Sequence, residues 1–230
     1  MNVVAIIQAR MRSTRLPYKM MISLHGHPII EWVLKRVKSS HKLDGIVVAI
    51  PQSPEDDILE KYLHSLEVDV YRGDEEDVLA RFYEAAKLKN ATHIVRVCAD
   101  NPLISGEEID NLIKFYFDNP CDYAYNHIPL GNTYPDGLGA EIISFDLLEY
   151  LEKNAIEKKH REHCFSYITD HPNRFSIKTF DPINKRIACP KLKLDIDTFE
   201  DYRRLSLKSF EIDTSAEELV KILGYDFENH

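Results

Sequence analysis

The amino-acid sequence predicts an α/β fold built on a doubly wound, mixed and mostly parallel sheet. Residues 3–7 form a continuous, mainly β-branched apolar run, which is typical of a strand buried on both faces of a parallel sheet. Over the first 118 residues, such runs alternate with stretches of helical periodicity, as in doubly wound proteins. Between residues 122 and 145, short β-prone pieces flank a Tyr-Pro-Asp-Gly turn, so we also expect an inserted β-hairpin subdomain.

The first half of the chain supplies strands and helices in alternation. After the first strand, residues 8–27 are polar and basic and are expected to form a long loop, and Pro28 then begins an amphipathic helix. Gly45 precedes a second strand at 46–50, and Pro54 leads into a helix with acidic residues in its first turn. The remaining elements of this half are a strand at 68–71, a helix at 77–89, a strand at 92–98 and a helix at 107–117 capped by Ser105.

The second half closes the same domain. A helix is predicted at 147–161, followed by strands at 175–180 and 192–196. Thr198 can cap a helix at 198–206, and a last helix is expected at 216–223. Because the chain has no internal repeat, low-complexity tract or evident linker, we expect a single domain over residues 1–230.

Charge is distributed unevenly along the chain. The formal net charge is −9, which argues against general binding to nucleic acid or to anionic membranes. Residues 1–43 nevertheless contain eight basic residues and one acid, which leaves −16 for the remainder. A basic opening on an acidic protein indicates a local anion site, although a solvated helix face accounts for the basic residues between 35 and 42.

The cysteines and the first apolar run bear on the cellular compartment. The four cysteines are scattered and form no Cys-x-x-Cys pair, so neither a disulfide framework nor a structural zinc site is expected. The run at residues 3–7 is too short for a signal peptide or a membrane span. We therefore expect a cytoplasmic protein with reduced thiols and no membrane contact.

A basic loop follows the first predicted strand, where ligands bind in open α/β sheets. Residues 8–19 contain three arginines and a lysine but neither a Walker lysine motif nor a Gly-x-Gly-x-x-Gly cradle. Arginine binds phosphate oxygens bidentately and lysine acts as a point charge, so the loop is suited to a triphosphate. A solvated surface loop is the alternative on composition alone.

Two acidic clusters follow later strands. Asp100 comes after the strand at 92–98, in the run Ala-Asp-Asn-Pro, and is suited to Mg²⁺, which takes one or two carboxylates together with substrate phosphates. Asp195 and Asp197 share one face of the predicted strand at 192–196, and Asp197 could complete the metal site. The alternative is that these acids only cap a turn and a helix.

Further polar candidates fall in or after the predicted hairpin. Their alternatives are ordinary turn chemistry for Asp136 and a solvent-exposed helix end for His163. The candidates are Asn126, Asp136, Glu141, Arg161, Glu162 and His163.

Six motifs in order resemble the spore-coat polysaccharide cytidylyltransferase family, which is related to the CMP-KDO and CMP-sialic acid synthetases. The resemblance runs from residue 3 to about residue 205. The motifs are residues 5–19 (AIIQARMRSTRLPYK), 72–81 (RGDEEDVLAR), 96–104 (RVCADNPLI), 133–137 (TYPDG), 161–163 (REH) and 197–201 (DTFED). One departure is Tyr18, which stands where the family pattern usually has a glycine, so the resemblance does not fix the backbone conformation of the loop at that residue.

The resemblance implies a role for each matching position. Catalysis would depend on Arg15, Lys19, Asp100 and Asp197, of which the two aspartates would bind Mg²⁺. The nucleotide would be held by Ala9, Arg10, Ser13, Thr14, Pro51, Gln52, Ser53, Gly73, Asp77 and Arg81, with Arg81 the residue of the 73–81 segment expected to contact it directly. The acceptor would be met by Asn101, Asn126, Asp136, Gly137, Glu141 and His163.

The resemblance also implies the reaction and the division of the chain. A cytidylyltransferase moves CMP from CTP to a sugar or sugar-phosphate-like acceptor and releases pyrophosphate, here for surface polysaccharide synthesis. Residues 1–118 would form the nucleotide-binding half, 119–190 an insertion for acceptor binding and homodimer formation, and 191–230 the metal-binding strand end with the closing helices. A nucleotidyltransferase that uses another nucleotide, an Asp-x-Asp glycosyltransferase and a non-catalytic sugar-nucleotide-binding protein remain as alternatives.

Overall fold

A seven-stranded sheet organises the chain in the computed structural model, which describes residues 1–224. Its strand order is β5-β4-β1-β6-β8-β7-β9, and a separate two-stranded ribbon pairs β2 with β3. The strands are β1 (Val3–Gln8), β2 (Ser23–Leu24), β3 (His27–Pro28), β4 (Gly45–Pro51), β5 (Asp69–Gly73), β6 (His93–Cys98), β7 (Tyr123–Tyr125), β8 (Glu141–Ser144) and β9 (Ile177–Thr179). The helices are α1 (Ile29–Lys38), α2 (Asp57–Ser65), α3 (Val78–Leu88), α4 (Gly106–Asp118), α5 (Phe145–Asn154), α6 (Lys158–Glu162), α7 (Ser166–Asp170), α8 (Phe199–Ser206) and α9 (Ala216–Gly224).

The predicted α/β fold with its mixed, mostly parallel sheet is confirmed. Strand β1 lies inside the sheet, with β4 and β6 parallel on either side of it. Its side chains alternate between two cores: Val3, Ala5 and Ile7 pack with α1, α2, α4, α8 and α9, whereas Val4 and Ile6 pack with α3, α5 and α7. Helices therefore cover both faces of the sheet, which is why the sequence of β1 is continuously apolar.

The predicted β-hairpin is present as the antiparallel pair β7 and β8, and both strands belong to the main sheet. Strand β8 runs antiparallel to β6 and β7, and β9 adds in parallel to β7. The Tyr-Pro-Asp-Gly turn lies in the long connection between β7 and β8, where Gly137 has a φ of +85°. The insertion thus extends the sheet beyond β6, on the side away from β4 and β5.

Two predicted elements differ from the structure. The helix predicted at 147–161 is divided into α5 and α6, because the Asn154 side chain donates to the Tyr150 carbonyl at the end of α5 and Ala155 leaves the helical conformation. In the described part of the chain, the strand predicted at 192–196 lies outside both sheets, and its β-pairing is an isolated bridge between Asp136 and Lys193. Within residues 1–224, no helix is long and apolar enough to cross a membrane.

Candidate active site

The basic loop after β1 has a defined path that two backbone anchors hold. The Met11 N–H donates to the fully buried carboxylate of Asp56 at 2.8 Å, and the Tyr18 N–H donates to the Met11 carbonyl at 3.0 Å. Tyr18 adopts the left-handed conformation, with φ 58° and ψ 22°. The position where the family pattern usually has glycine therefore keeps a glycine-like backbone here, although a side chain is present.

Lys19 joins this loop to both acidic clusters. Its Nζ atom donates to the Ile196 carbonyl at 2.7 Å and lies 3.8 Å from Asp100 and 3.6 Å from Asp197. Arg15 completes the group through an ion pair with Asp197 at 2.9 Å. The four residues predicted to be catalytic, Arg15, Lys19, Asp100 and Asp197, are thus brought together at the carboxyl ends of β1 and β6.

The segment before α8, which carries Asp197, is positioned beside Lys19 by hydrogen bonds at Ile196 and Thr198. The Ile196 N–H donates to the Asp100 carbonyl at 2.8 Å, which ties the segment to the end of β6. Thr198 and Asp201 form a capping box at the start of α8, directly after Asp197. The prediction that Thr198 caps this helix is confirmed, and Asp197 is left with its carboxylate directed to the loop cations.

A cleft of about 200 Å³ opens beside these residues. Its walls come from the ends of β1 and β6, the basic loop and the segment before α8. The lining residues are Gln8, Ala9, Arg10, Arg12, Ser13, Arg15, Lys19, Met20, Arg96, Cys98, Ala99, Asp100 and Asp197. Of the ten predicted nucleotide-binding residues, Ala9, Arg10 and Ser13 line this cleft, whereas Thr14 lies on the outer side of the loop and the other six lie elsewhere.

The donor set at the cleft suits a hard divalent cation. The Lys19 ammonium lies between the Asp100 and Asp197 carboxylates, so the protein itself places a positive charge between these two groups. Within residues 1–224, no cluster of three or more acidic, histidine or cysteine side chains forms a closed metal cage. Two carboxylates in an open cleft are the arrangement in which Mg²⁺ completes its coordination with water and substrate phosphates.

Asp136 and Asp195 add further negative charge next to this group. The Asp136 N–H donates to the Leu192 carbonyl, and the Asp136 carbonyl accepts from the Leu194 N–H, so Asp136 lies beside the segment that carries Asp195. Burial, reinforced by the Asp195 carboxylate, raises the pKa of Asp136 to about 6. Asp195 pairs with Lys193 at 3.0 Å, whereas Asp197 pairs with Arg15 and Lys19, so the two aspartates have different cationic partners.

Gly137 lets the turn approach the rest of the site closely. A Cβ atom at this position would lie 3.0 Å from the Asp195 nitrogen and 3.2 Å from the Asn101 side-chain oxygen. The positive φ and the close contacts together require glycine. Asn101 itself is 8% exposed and lies at the tip that follows β6.

Glu141 belongs to a buried ion pair beneath the cleft. It pairs with Arg96 across the register of β6 and β8, accepts a hydrogen bond from Tyr123 and lies 3.4 Å from His127. Burial alone would raise its pKa, but Arg96, His127 and the Tyr123 hydroxyl together outweigh burial and lower the pKa of Glu141 to about 2. Arg96 also donates to Gln8 at 3.3 Å, and both residues line the cleft. The sequence analysis assigns no role to either of them.

The predicted nucleotide-binding residues 51–53 and Gly73 lie at the ends of β4 and β5, further along the sheet from the cleft. Pro51 ends β4 opposite Gly73 of β5, and the Gln52 N–H donates to the Gly73 carbonyl at 2.8 Å. The Ser53 hydroxyl contacts Glu55, and Arg72 fastens the loop by donating to the Pro51 and Ser53 carbonyls.

Arg81 is buried and Asp77 is half-buried, and both have partners within the protein. Arg81 is 1% exposed and donates to the Asp74 carbonyl at 2.7 Å, so its guanidinium is held below the loop. Asp77 caps α3 and accepts three hydrogen bonds from Arg161 at 2.8 to 3.0 Å. A direct contact of Arg81 with the nucleotide stays a prediction, and the geometry gives both residues internal partners.

The remaining candidates are divided between the interior and the surface. Asn126 is fully buried, where its amide donates to the Glu108 carbonyl and accepts from the Ala140 N–H. His163 and Thr14 are exposed, and Thr14 lies on the outer side of the basic loop. Contacts of Asn126 and His163 with an acceptor remain predictions.

The comparisons with known proteins agree with this architecture. The chain matches the family described as Cytidylyltransferase over residues 4–229. It is 34% identical over 232 residues to the spore coat polysaccharide biosynthesis protein SpsF of Bacillus subtilis, and this match covers 97% of this chain and 94% of the relative.

Solved structures of this fold extend the comparison. A cytidylyltransferase from Leptospira borgpetersenii has a TM-score of 0.88 and 30% identity, covering 99% of this chain and 96% of its own. A CMP:2-keto-3-deoxy-manno-octonic acid synthetase solved with CTP shares the fold at a TM-score of 0.66 and 16% identity, covering 90% and 97%. The family match spans nearly the whole chain, and the relatives are covered almost completely. This chain is therefore a nucleotidyltransferase that belongs to the cytidylyltransferase family.

Proposed function

We propose that this protein transfers CMP from CTP to a sugar or sugar-phosphate-like acceptor and releases pyrophosphate, with Mg²⁺ as its metal. The observation that carries the proposal is the position of the Lys19 ammonium, which lies 3.8 Å from the Asp100 carboxylate and 3.6 Å from the Asp197 carboxylate. One open cleft thus offers a fixed cation for phosphate and two carboxylates for a metal ion, which are the groups that phosphoryl-transfer sites use.

The loop cations would bind the phosphates of the nucleotide. Arg15 and Lys19 lie at the carboxylates, and Arg10 lies exposed on the same cleft. A triphosphate brings roughly four negative charges, and fixed arginine and lysine groups stabilise both this charge and the charge that develops on the leaving pyrophosphate. Ser13 and Thr14 offer hydroxyl groups on the same loop.

Asp100 and Asp197 would hold the metal, which supplies a Lewis acid that offsets negative charge on the phosphates. The protein's own contribution is positioning. The Ile196 N–H donates a hydrogen bond to the Asp100 carbonyl, and the Lys19 ammonium donates one to the Ile196 carbonyl. The acceptor oxygen would attack the α-phosphorus in line, and the bond to the departing pyrophosphate would break.

The acceptor would approach from the side of the turn that carries Asp136 and Gly137. Glu141 takes no proton in this proposal, because a carboxylate with a pKa of about 2 is a weak base at neutral pH. Its part is to hold Arg96 in place below the cleft. The names of the relatives, a spore coat polysaccharide protein and a synthetase solved with CTP, support a sugar acceptor, CTP as donor and a role in surface polysaccharide synthesis.

The test is pyrophosphate release from each of CTP, UTP, GTP and dTTP, with Mg²⁺ and a panel of acidic sugars and sugar phosphates. Release with CTP and one class of acceptor is the expected result. Pyrophosphate release with a different nucleotide would support the nucleotidyltransferase activity but would show that CTP is not the donor. If the protein bound none of the four nucleotides, the proposed triphosphate site would be wrong.

A further inference from the structure

The Asp197 carboxylate has a cation beside each of its two oxygens. Its Oδ2 atom lies 2.9 Å from the Arg15 guanidinium, and its Oδ1 atom lies 3.6 Å from Nζ of Lys19. The same ammonium lies 3.8 Å from Oδ2 of Asp100. The negative charge of the two aspartates is thus already balanced by positive charges that belong to the chain itself.

The two cations differ in their freedom to move. The Lys19 side chain is 9% exposed and donates to the Ile196 carbonyl at 2.7 Å, so it would lose a buried partner if it turned towards solvent. The Arg15 side chain is 61% exposed, and an exposed ion pair contributes little to stability. Arg15 can therefore leave Asp197 readily, whereas Lys19 stays beside both carboxylates.

This arrangement opposes the binding of a divalent cation on its own. A metal ion at Asp100 and Asp197 would lie close to the fixed ammonium and would compete with Arg15 for the Asp197 carboxylate. Like charges a few ångströms apart in a partly buried cleft repel each other, and the repulsion is larger when one charge is divalent. A phosphate group changes this balance, because it offers counter-charge to both cations and further oxygen ligands to the metal.

We propose that Lys19 and Arg15 suppress the binding of metal to Asp100 and Asp197 until a phosphate group enters the cleft. The inference rests on the proposed function, which assigns the metal to these two carboxylates. Metal and nucleotide then bind cooperatively. By thermodynamic linkage, each raises the affinity of the protein for the other by the same factor.

The experiment uses Mn²⁺ alone as the probe, with free Mn²⁺ measured by electron paramagnetic resonance in the absence of nucleotide. We expect the Kd for Mn²⁺ to fall at least about tenfold in Lys19→Gln, because the fixed charge is removed. A fall of about threefold is expected in Arg15→Gln, whose charge is more exposed. The glutamine at position 19 keeps an N–H donor for the Ile196 carbonyl.

Two further proteins show where the gain arises. Lys193→Gln is the matched control, because it makes the same change in net charge on the segment before α8, where Lys193 pairs with Asp195 at 3.0 Å. It should leave the Kd for Mn²⁺ unchanged, since solvent screens a charge that makes no direct contact with the site. Combining Lys19→Gln with Asp197→Asn should abolish the gain.

CMP tests the cooperativity in the wild type. A saturating concentration of CMP should lower the wild-type Kd for Mn²⁺ by at least about fivefold. The effect should be smaller in Lys19→Gln, where less repulsion remains to be relieved. If CMP bound to the wild type and left the Kd for Mn²⁺ unchanged, the proposed cooperativity would be wrong.

The outcomes separate this inference from the proposed function. If Lys19→Gln bound Mn²⁺ no more tightly than the wild type, or Lys193→Gln gained as much, the inference would be overturned. Should Lys19→Gln fail to fold, an unchanged Kd in the exposed variant Arg15→Gln would overturn it. A wild type that does not bind CTP would overturn the proposed function, whereas a gain in Lys19→Gln that depends on Asp197 would still show that the cation suppresses metal binding.

Discussion

The Nζ atom of Lys19 lies 3.6 Å from Oδ1 of Asp197, which connects the loop after the first strand to the segment before α8. The lysine side chain is 9% exposed, and it also lies 3.8 Å from Asp100. Three distant parts of the chain thus meet at one ammonium group. Because each of the two carboxylates remains partly exposed on the cleft, changes to them should affect the chemistry more than the fold.

Asp100→Asn should lower turnover by at least about a thousandfold, because it removes a metal-binding charge where phosphate charge develops. The amide has nearly the same size, and Lys19 keeps Asp197 and the Ile196 carbonyl as partners. Stability should therefore change by no more than about 1 kcal/mol. Pyrophosphate release and urea unfolding measure the two effects, and near-normal turnover in Mg²⁺ would remove Asp100 from the mechanism.

Gly137→Ala should destabilise the protein more than Gly26→Ala. Both glycines are left-handed, with φ of +85° and +86°, but of the two only Gly137 has atoms within 4 Å of an added Cβ. Strain alone should cost about 1 kcal/mol in Gly26→Ala, and the contacts with Asp195 and Asn101 should add about 1–3 kcal/mol in Gly137→Ala. Urea unfolding of the two variants gives the comparison, and equal losses would show that the turn can move away from Asp195.

Tyr18→Gly should be more stable than Tyr18→Ala by about 0.5–1 kcal/mol. Alanine removes the ring but keeps the left-handed strain of about 1–2 kcal/mol. Glycine removes the ring and the strain, but it also raises the conformational entropy of the unfolded chain, which offsets part of the stability gained from the loss of strain. Thermal unfolding of the pair isolates the backbone contribution from that of the ring. If the alanine variant proved the more stable, the left-handed conformation at position 18 would not be strained.

Glu141→Gln should change how stability depends on pH. The folded-state pKa of Glu141 is lowered from 4.5 to about 2, chiefly by Arg96 acting against burial. The carboxylate therefore stabilises the fold above pH 4.5, and this contribution, roughly 3 kcal/mol, is lost as the pH falls from 4.5 towards 2. The variant leaves Arg96 buried without its partner, so it should be less stable at pH 7 by about 3–5 kcal/mol.

Urea unfolding at several pH values between 2 and 7 measures this effect. Glu200→Gln is the control, because Glu200 is an exposed glutamate that pairs with Arg203 on the surface. The control should keep the acid dependence of the wild type, whereas Glu141→Gln should show a shallower one. An identical slope in all three proteins would show that Glu141 is not the group that titrates there.

The sequence predicts the fold and the central group of the site because both depend on local patterns. Each strand with its following polar loop is readable from residues a few positions apart, which places Lys19, Asp100 and Asp197 at strand ends, and the structure brings the three side chains together. Their catalytic role is implied by the family resemblance and stays a prediction. The partnership of Arg96 and Glu141 is not readable in this way, because it depends on the register between β6 and β8. The segment at 192–196 has a strand-like sequence, but its neighbour in space is a turn, so its pairing within the described chain stops at a single bridge.

The most direct test of the central claim is a crystal structure of the protein with Mn²⁺ and a non-hydrolysable CTP analogue. Mn²⁺ serves as an anomalously scattering substitute for Mg²⁺. The account predicts an anomalous peak within about 2.2 Å of carboxylate oxygens of both Asp100 and Asp197, with phosphates at Lys19 and Arg15. A metal bound elsewhere, or a nucleotide outside the cleft, would contradict it.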